Sequence, residues 1–335
     1  MEKLTINEIA EKAGVSKTTV SFYLNGKTNK MSEETKCRIQ QIIDETGYEP
    51  NAAARAMKAK NTGVIGVILS DVSEAYCARA LKGIEDVAST QNYQVVVGNS
   101  EMVFKSEQEY VERMLKLGVE GFIIQSTYRF GMLASELEKK RKPIIYLGSR
   151  PYDFKGRYIK ENNYECVYRT MTDFIKKGYE TFMIIADDND IDSGFAYETS
   201  RGFRDALQDA DKKGNTIYIS HGMHSEEVHE VLEESINLGK KTLIFVTSAH
   251  ILKVVYQAIK KFNNYMELFP EKIGLIGFDN EGWTRMATPT VSAIIAPAYE
   301  EGVRSMEELL KVLEGKKRDT EIVFKNIVKL RETTL

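Results

Sequence analysis

Asp279 is the residue of this 335-residue chain whose place most invites chemistry. It ends the apolar run Ile273-Gly274-Leu275-Ile276-Gly277-Phe278, where a bare carboxylate is costly. It therefore calls for a bonding partner or a ligand hydroxyl, which is recognition chemistry and not bond breaking. His221, His224 and His229 surround Glu226, but HxxH with no cysteine or carboxylate at helical spacing is a weak zinc pattern. A solvated loop and helix start is the plainer reading. Asp188-Asn189-Asp190-Ile191-Asp192 suggests a calcium loop until the register is checked, because the places that need Gly and Glu hold Ser193 and Thr199. No phosphate loop, nucleophile elbow or paired catalytic carboxylates stand out. The sequence thus predicts no enzyme, no metal and no cofactor.

The elements that must position Asp279 are strands. From Gly63 onward short β-branched runs alternate with amphipathic stretches. Val64–Leu69, Gln94–Val97, Gly121–Ile124 and Ile144–Leu147 read as four buried strands, and Phe182–Ile185, Ile217–Ile219, Leu243–Val246 and Ile273–Ile276 as four more. Continuous apolar runs separated by helices imply parallel sheets covered on both faces. Two such sets predict two doubly wound lobes, with ligand in the cleft at the strand C-termini. Ser70, Asp71, Ser73 and Tyr76 follow the first run there, although Ser73 and Glu74 equally suit a helix cap.

The first 57 residues are built differently. Thr5-Ile6-Asn7-Glu8 is a capping box, and the helix it starts stops at Gly14. Ser16 caps a second helix that ends at Asn25-Gly26, and Ser32 caps a third, with Ile39, Ile42 and Ile43 inside and Gly47 closing it. Two short helices around a tight glycine turn make a helix-turn-helix, although the spacing alone also fits any small three-helix bundle. Asn51 then caps a stretch from Ala52 to Lys58, about two turns, too short to be stable alone. It is either a plain linker or a helix that forms only when something supports it.

Bulk properties fit two or three domains. The net charge is −3, split as +2 over residues 1–62 and −5 over the rest, so charge alone does not identify a nucleic-acid binder. Three widely spaced cysteines argue against a disulfide framework and fit a reducing cytoplasm. No export signal or run of about 18 apolar residues is present.

The wording of the first segment resembles the LacI family of bacterial regulators. Thr5 to Ser21, Leu24-Asn25-Gly26, Met31 to Thr35 and Gly47 to Asn51 carry the likeness, and Gly274 to Asn280, Ala296 to Tyr299 and Lys329 to Thr333 extend it. The resemblance implies an all-α helix-turn-helix DNA-binding domain (1–48), a hinge (49–62) and an α/β two-lobed, periplasmic-binding-protein-like effector domain (63–335). The chain would cross between the lobes three times. Lobe 1 would hold about 63–160 plus 292–320, including a last helix from Tyr299 to Glu314. Lobe 2 would hold 161–291 plus 321–335.

It also implies double-stranded operator DNA, a small-molecule effector and a second copy of the chain as partners. Lys17, Thr18 and Phe22 would face bases, with Thr5, Ser16, Thr19, Ser21 and Asn25 nearby or on phosphates. Asn51, Ala54, Arg55 and Met57 would serve the hinge, Met57 wedging a base step in the minor groove. Phe22 stands where relatives often carry Arg and offers only apolar contact, for instance to a thymine methyl, or packs inward. Ser70, Asp71, Ser73, Tyr76, Arg150, Thr199, Arg201, Thr247, Asp279 and Trp283 would bind effector, with Trp283 closing the cleft or simply packing. Thr199 and Thr247-Ser248 replace an Arg and an Asn-Asp pair of sugar-responsive relatives. Ser21 to Lys27 resembles a Gram-positive sugar-acid subgroup, whose ligand would want a cation from Arg150, Arg201 or Arg285. Gly277 to Asn280 and Glu74-Ala75-Tyr76 are as similar to a purine-corepressor subgroup. A transport component shares the two-lobed fold but would lack the DNA reader. Without a leucine-heptad tail after Leu335, the expectation is a cytoplasmic dimeric repressor of carbohydrate catabolism.

Overall fold

The computed structural model describes residues 4–24, 26–29, 31–48, 62–148, 156–187, 193–220, 222–316 and 321–335. The chain divides into two compact units, Met1–Thr62 and Gly63–Leu335.

In the first unit α1 (Ile6–Lys12), α2 (Lys17–Leu24) and α3 (Glu33–Thr46) follow the caps. Glu8 reaches back to the Thr5 amide at 2.6 Å, Ser16 Oγ accepts from Thr19 N at 3.1 Å, and Ser32 Oγ accepts from Thr35 N at 3.3 Å. Gly14 and Gly47 close α1 and α3 at φ +61° and +59°, backbone that glycine adopts without strain. Ile9, Ala10 and Val20 are buried against Leu24, Ile42, Ile43 and Tyr48. The Tyr23 hydroxyl donates to Gln40 Oε1 at 2.5 Å and pins α2 on α3.

The second unit holds two six-stranded sheets. The first comprises β1 (Val64–Leu69), β2 (Gln94–Asn99), β3 (Phe122–Ile124), β4 (Ile144–Leu147), β5 (Arg157–Glu161) and β11 (Glu321–Phe324). Its order is β2-β1-β3-β4-β5-β11, and every pair is parallel. The second comprises β6 (Thr181–Asp187), β7 (Gly214–Ile219), β8 (Thr242–Val246), β9 (Ile273–Phe278), β10 (Ser292–Ile295) and β12 (Ile327–Lys329). Its order is β7-β6-β8-β9-β10-β12, with β12 antiparallel to β10.

Alternate residues of β1 explain the double winding. Ile65, Val67 and Leu69 pack under α4 (Ala75–Thr90) and α12 (Ala298–Leu313). Ile68 packs under α5 (Phe104–Lys116) and α6 (Gly131–Lys139). In the second sheet Phe182 and Ile184 face α7 (Asn163–Lys176) and α8 (Gly194–Asp209), and Met183 and Ile185 face α9 (Ser225–Ser235) and α10 (Ala249–Ile259), with the one-turn α11 (Tyr265–Leu268) after it. Helix α12 lies against α4 so closely that a Cβ on Gly302 would sit 2.0 Å from the Ala80 carbonyl oxygen.

Three chain passages join the lobes, after β5, after β10 and between β11 and β12. The lobe limits read from the sequence need correction. Residues 292–295 do not join the first lobe, because Ser292 pairs in register with Ile276 of β9. Residues 321–324 do not join the second, because Glu321 pairs with Tyr158 of β5. Helix α12 belongs to the first lobe, where Met306 and Leu309 enter its core.

Candidate functional site

Helix α2 carries Lys17 and no carboxylate, so its outer face bears no charge that would repel a phosphate backbone. Ser16, Lys17, Thr18 and Phe22 are exposed, Phe22 to 48%. Inward packing of Phe22 is thereby excluded. Thr19 and Ser21 are half-buried, and Thr19 Oγ1 lies 2.8 Å from Ser16 Oγ, so both hydroxyls serve the cap. Thr5 is exposed at the start of α1, and its amide and hydroxyl hold the Glu8 carboxylate below the usual carboxylate range. Asn25, Asn51, Ala54, Arg55 and Met57 lie outside the described residues.

The second site is where topology puts it. Strand β1 sits between β2 and β3, and β6 between β7 and β8, so chain connections leave each in opposite directions. At the C-terminal ends of these strands a cavity of about 820 Å³ opens between the lobes. The first residues of α4, α8 and α10 line it, each helix following a central strand. Among the described residues six carboxylates line it too: Asp71, Glu74, Glu101, Glu161, Asp187 and Asp279. No Lys, Arg or His does so among the described residues.

Most of these carboxylates organise the walls. Asp71 Oδ1 accepts from Ser73 N at 2.8 Å and from the Ser73 hydroxyl at 2.7 Å. Asp279, 1% exposed, accepts through Oδ1 from Glu281 N and Gly282 N, and through Oδ2 from Gly282 N, Thr284 N and the Thr284 hydroxyl. Of the two expectations for this carboxylate, a bonding partner or a ligand hydroxyl, the first is met by its own loop, which occupies both oxygens. The neighbouring Asn280 exchanges two hydrogen bonds with the Ala296 backbone, which ties the loop to the second passage between lobes.

On the floor, the Tyr76 hydroxyl donates to Glu301 Oε2 at 2.5 Å. Burial, then Glu161 and Glu301, raise that phenol well above its usual value. Burial likewise raises the carboxyls of Glu161 and Glu301, and Glu161 raises Glu301 further. Asn163 Nδ2 donates to Glu161 at 3.3 Å, and Asn326 Nδ2 donates to Asn163 Oδ1 at 2.7 Å. This ladder laces the first interlobe passage to the third. Behind the wall, buried Glu107 receives the amide and hydroxyl of Thr127, each at 2.7 Å, and burial pushes its carboxyl to about 7. It thereby fixes the Gln125–Thr127 segment, two of whose residues line the cavity.

Of the residues expected to bind effector, Ser70, Asp71, Tyr76, Thr247 and Asp279 line the cavity. Ser73 does not, because its side chain is turned onto Asp71. Thr199 is fully buried within α8 and donates to the Phe195 carbonyl. Arg201 points out of α8, pairing with Asp205 at 3.3 Å and lying over the Tyr164 ring. Trp283 packs into the second lobe's core, its ring 5.5 Å from that of Tyr256. Arg150 lies outside the described residues.

Sequence reasoning missed Gln125, Glu161, Asp187 and Phe195. Gln125 and Asp187 end strands just as Asp279 does, so the same argument applies to them. Phe195 opens α8 with its ring 4.8 Å from Phe278, and it supplies the aromatic wall expected of Trp283. His224 sits at the cap of α9 and His229 packs on Phe262, while His221 and the Asp188–Asp192 segment lie outside the described residues. Among the described residues no group of three or more His, Cys, Asp or Glu could hold a metal ion. In the same residues no helix is long and apolar enough to cross a membrane.

Comparison with known proteins agrees with both halves. Residues 5–51 match the model of bacterial regulatory proteins of the lacI family, and residues 171–334 that of a periplasmic binding protein-like domain. The chain is 30% identical to a probable HTH-type transcriptional regulator, EndR, of Paenibacillus polymyxa, over 99% of this chain and 98% of that one. It is 27% identical to catabolite control protein A of Priestia megaterium, over 99% of each, and 25% identical to the HTH-type regulator KdgR of Bacillus subtilis, over 93% and 92%. In fold it resembles a lac repressor dimer bound to operator and the anti-inducer ONPF (TM-score 0.78, 19% identity, all of both chains). It also resembles a CelR–cellobiose complex (TM-score 0.69, 19% identity, 99% and 100%).

Proposed function

The chain belongs to the lacI family of bacterial regulatory proteins, and on that premise we propose that it is a homodimeric repressor released from or recruited to its operator by a small, hydroxyl-rich effector. It is a DNA-binding transcriptional regulator. What carries the finer reading is the interlobe cavity of about 820 Å³ at both sets of strand ends, crossed behind by three chain passages. A ligand there touches both lobes, so it binds one lobe arrangement better than another and shifts their populations.

The lining selects among ligand classes. A sugar acid would bring an anion against six carboxylates with no described cation to meet it. A neutral sugar or polyol instead offers hydroxyl donors to carboxylate acceptors and an apolar face to Phe195. The departure at Thr247 fits the same view, since it lines the cavity and supplies no charge.

Each subunit contributes one α2 to one half-site, so a dimer reads two half-sites about 34–36 Å apart, with the Met57 segments at the operator centre. The control is passive, through binding alone, with no catalytic step. The test is an anisotropy titration of a duplex from upstream of the chain's own gene, at fixed salt. It is repeated with neutral mono- and disaccharides, sugar acids and purines. Release by a neutral sugar supports the reading. Binding that needs a purine supports the corepressor alternative, and no specific binding to any upstream duplex contradicts both.

A further inference from the structure

On the far side of the Asp279 loop lies a second, smaller pocket of about 270 Å³. Its walls have the opposite charge: Arg79, Arg285, Lys329 and Arg331 converge on it. Arg79 projects from α4 of the first lobe, Lys329 ends β12, Arg285 ends the short 3-10 helix Trp283–Arg285, and Arg331 follows β12 in the second lobe.

Four like charges around one pocket repel each other unless something between them is negative. Among the described residues the one carboxylate in the wall is Asp279, and four donors of its own loop have already taken both oxygens. Among the described residues no carboxylate pairs with any of the four cations. Arg331 spends Nη1 on the Thr284 hydroxyl at 3.1 Å and on the Val291 carbonyl at 2.6 Å, which fixes its guanidinium at the pocket wall. By contrast the nearby Lys253 and Glu281 neutralise each other at 2.8 Å.

We propose that this pocket binds a small oxyanion of the phosphate class, at a site separate from the acidic interlobe cleft. Planar guanidinium forks suit a tetrahedral oxyanion, and two or three charge-assisted hydrogen bonds at close quarters make such sites selective over chloride. The source is either inorganic phosphate or the phosphoryl group of a metabolite. Because Arg79 stands on one lobe and the other three cations on the other, the bound anion joins the lobes. It is therefore coupled to whatever lobe arrangement the cleft ligand favours.

The test uses the full chain, in phosphate-free buffer at constant ionic strength. Thermal unfolding is followed while inorganic phosphate, or in a second arm ribose 5-phosphate, replaces chloride. Wild type is expected to show a saturable rise in melting temperature. Arg285→Ala and Lys329→Ala, both exposed and so harmless to folding, should each weaken the apparent Kd about tenfold. A response to both compounds assigns the site to phosphate itself, and a response to the sugar phosphate alone assigns it to a phosphorylated metabolite. Absence of any response beyond matched chloride, or equal responses in wild type and both variants, overturns the proposal. Operator titration without phosphate is unaffected by either result and stands as the separate check on the regulatory reading.

Discussion

The Thr284 hydroxyl lies 2.6 Å from Asp279 Oδ2 and donates to it, and this bond closes a cradle of four donors making five hydrogen bonds around one buried carboxylate. Asp279 is thus the organiser of the Asn280–Thr284 loop. That loop separates an acidic cleft from a basic pocket and is tied through Asn280 to a lobe crossing.

Asp279→Ala strands the amide donors of Glu281, Gly282 and Thr284. It should cost about 3 kcal/mol of stability, read by chemical denaturation of the full chain. Asp279→Asn keeps one acceptor and should cost less. An Asp279→Ala chain as stable as wild type would show that the carboxylate serves the ligand alone.

Gly302→Ala drives a methyl group to 2.0 Å from the Ala80 carbonyl oxygen, where backbone cannot yield cheaply. Separation of α4 from α12 should destabilise the first lobe by about 3 kcal/mol. A melting temperature within error of wild type would mean that the two helices are not packed this closely.

Glu107 makes stability pH-dependent. Its folded carboxyl is raised from 4.5 to about 7, so the folded chain holds the proton more tightly. The stability this contributes is fully present below pH 4.5 and is lost as pH rises through about 7, by up to about 3 kcal/mol. Glu107→Gln removes that slope, measured by urea unfolding at stepped pH. An unchanged slope in the variant would place the titration elsewhere, for example on Glu161 and Glu301.

Phe22 is exposed on α2, so Phe22→Ala should leave stability within about 0.5 kcal/mol. It should still weaken operator binding. Phe22→Arg should shift preference toward guanine at one position of each half-site, worth about 1–3 kcal/mol, in a base-by-base binding screen. An unaltered base preference would place Phe22 off the groove.

What was legible in the sequence follows from how each element is buried. Runs such as Val64–Leu69 and Ile273–Phe278 are continuous and apolar because both sheet faces are covered. Strand β5, Arg157-Tyr-Ile-Lys-Glu, hid behind its charges, which are buried by partners far along the chain. Arg157 lies 3.8 Å from Glu308 and Lys160 3.0 Å from Glu198. The short edge strands β11 and β12 had no pattern to find, so the last lobe crossings were misplaced. Strand-end reasoning points to Ser70 and Asp279, and the family resemblance to Thr247, but neither shows that four donors from Asp279's own loop take its oxygens. Thr199 and Arg201 were assigned by family position, and a helix turned those two places away from the cleft.

The central claim is that occupancy of the interlobe cleft sets operator affinity. The most direct measurement is an operator titration of wild type and of Ser126→Trp, whose indole would fill the cleft, with and without the releasing sugar. The account predicts at least about tenfold release in wild type. In the variant it predicts normal operator binding with no response. An equal response in both chains would put the controlling ligand outside the cleft and contradict the account.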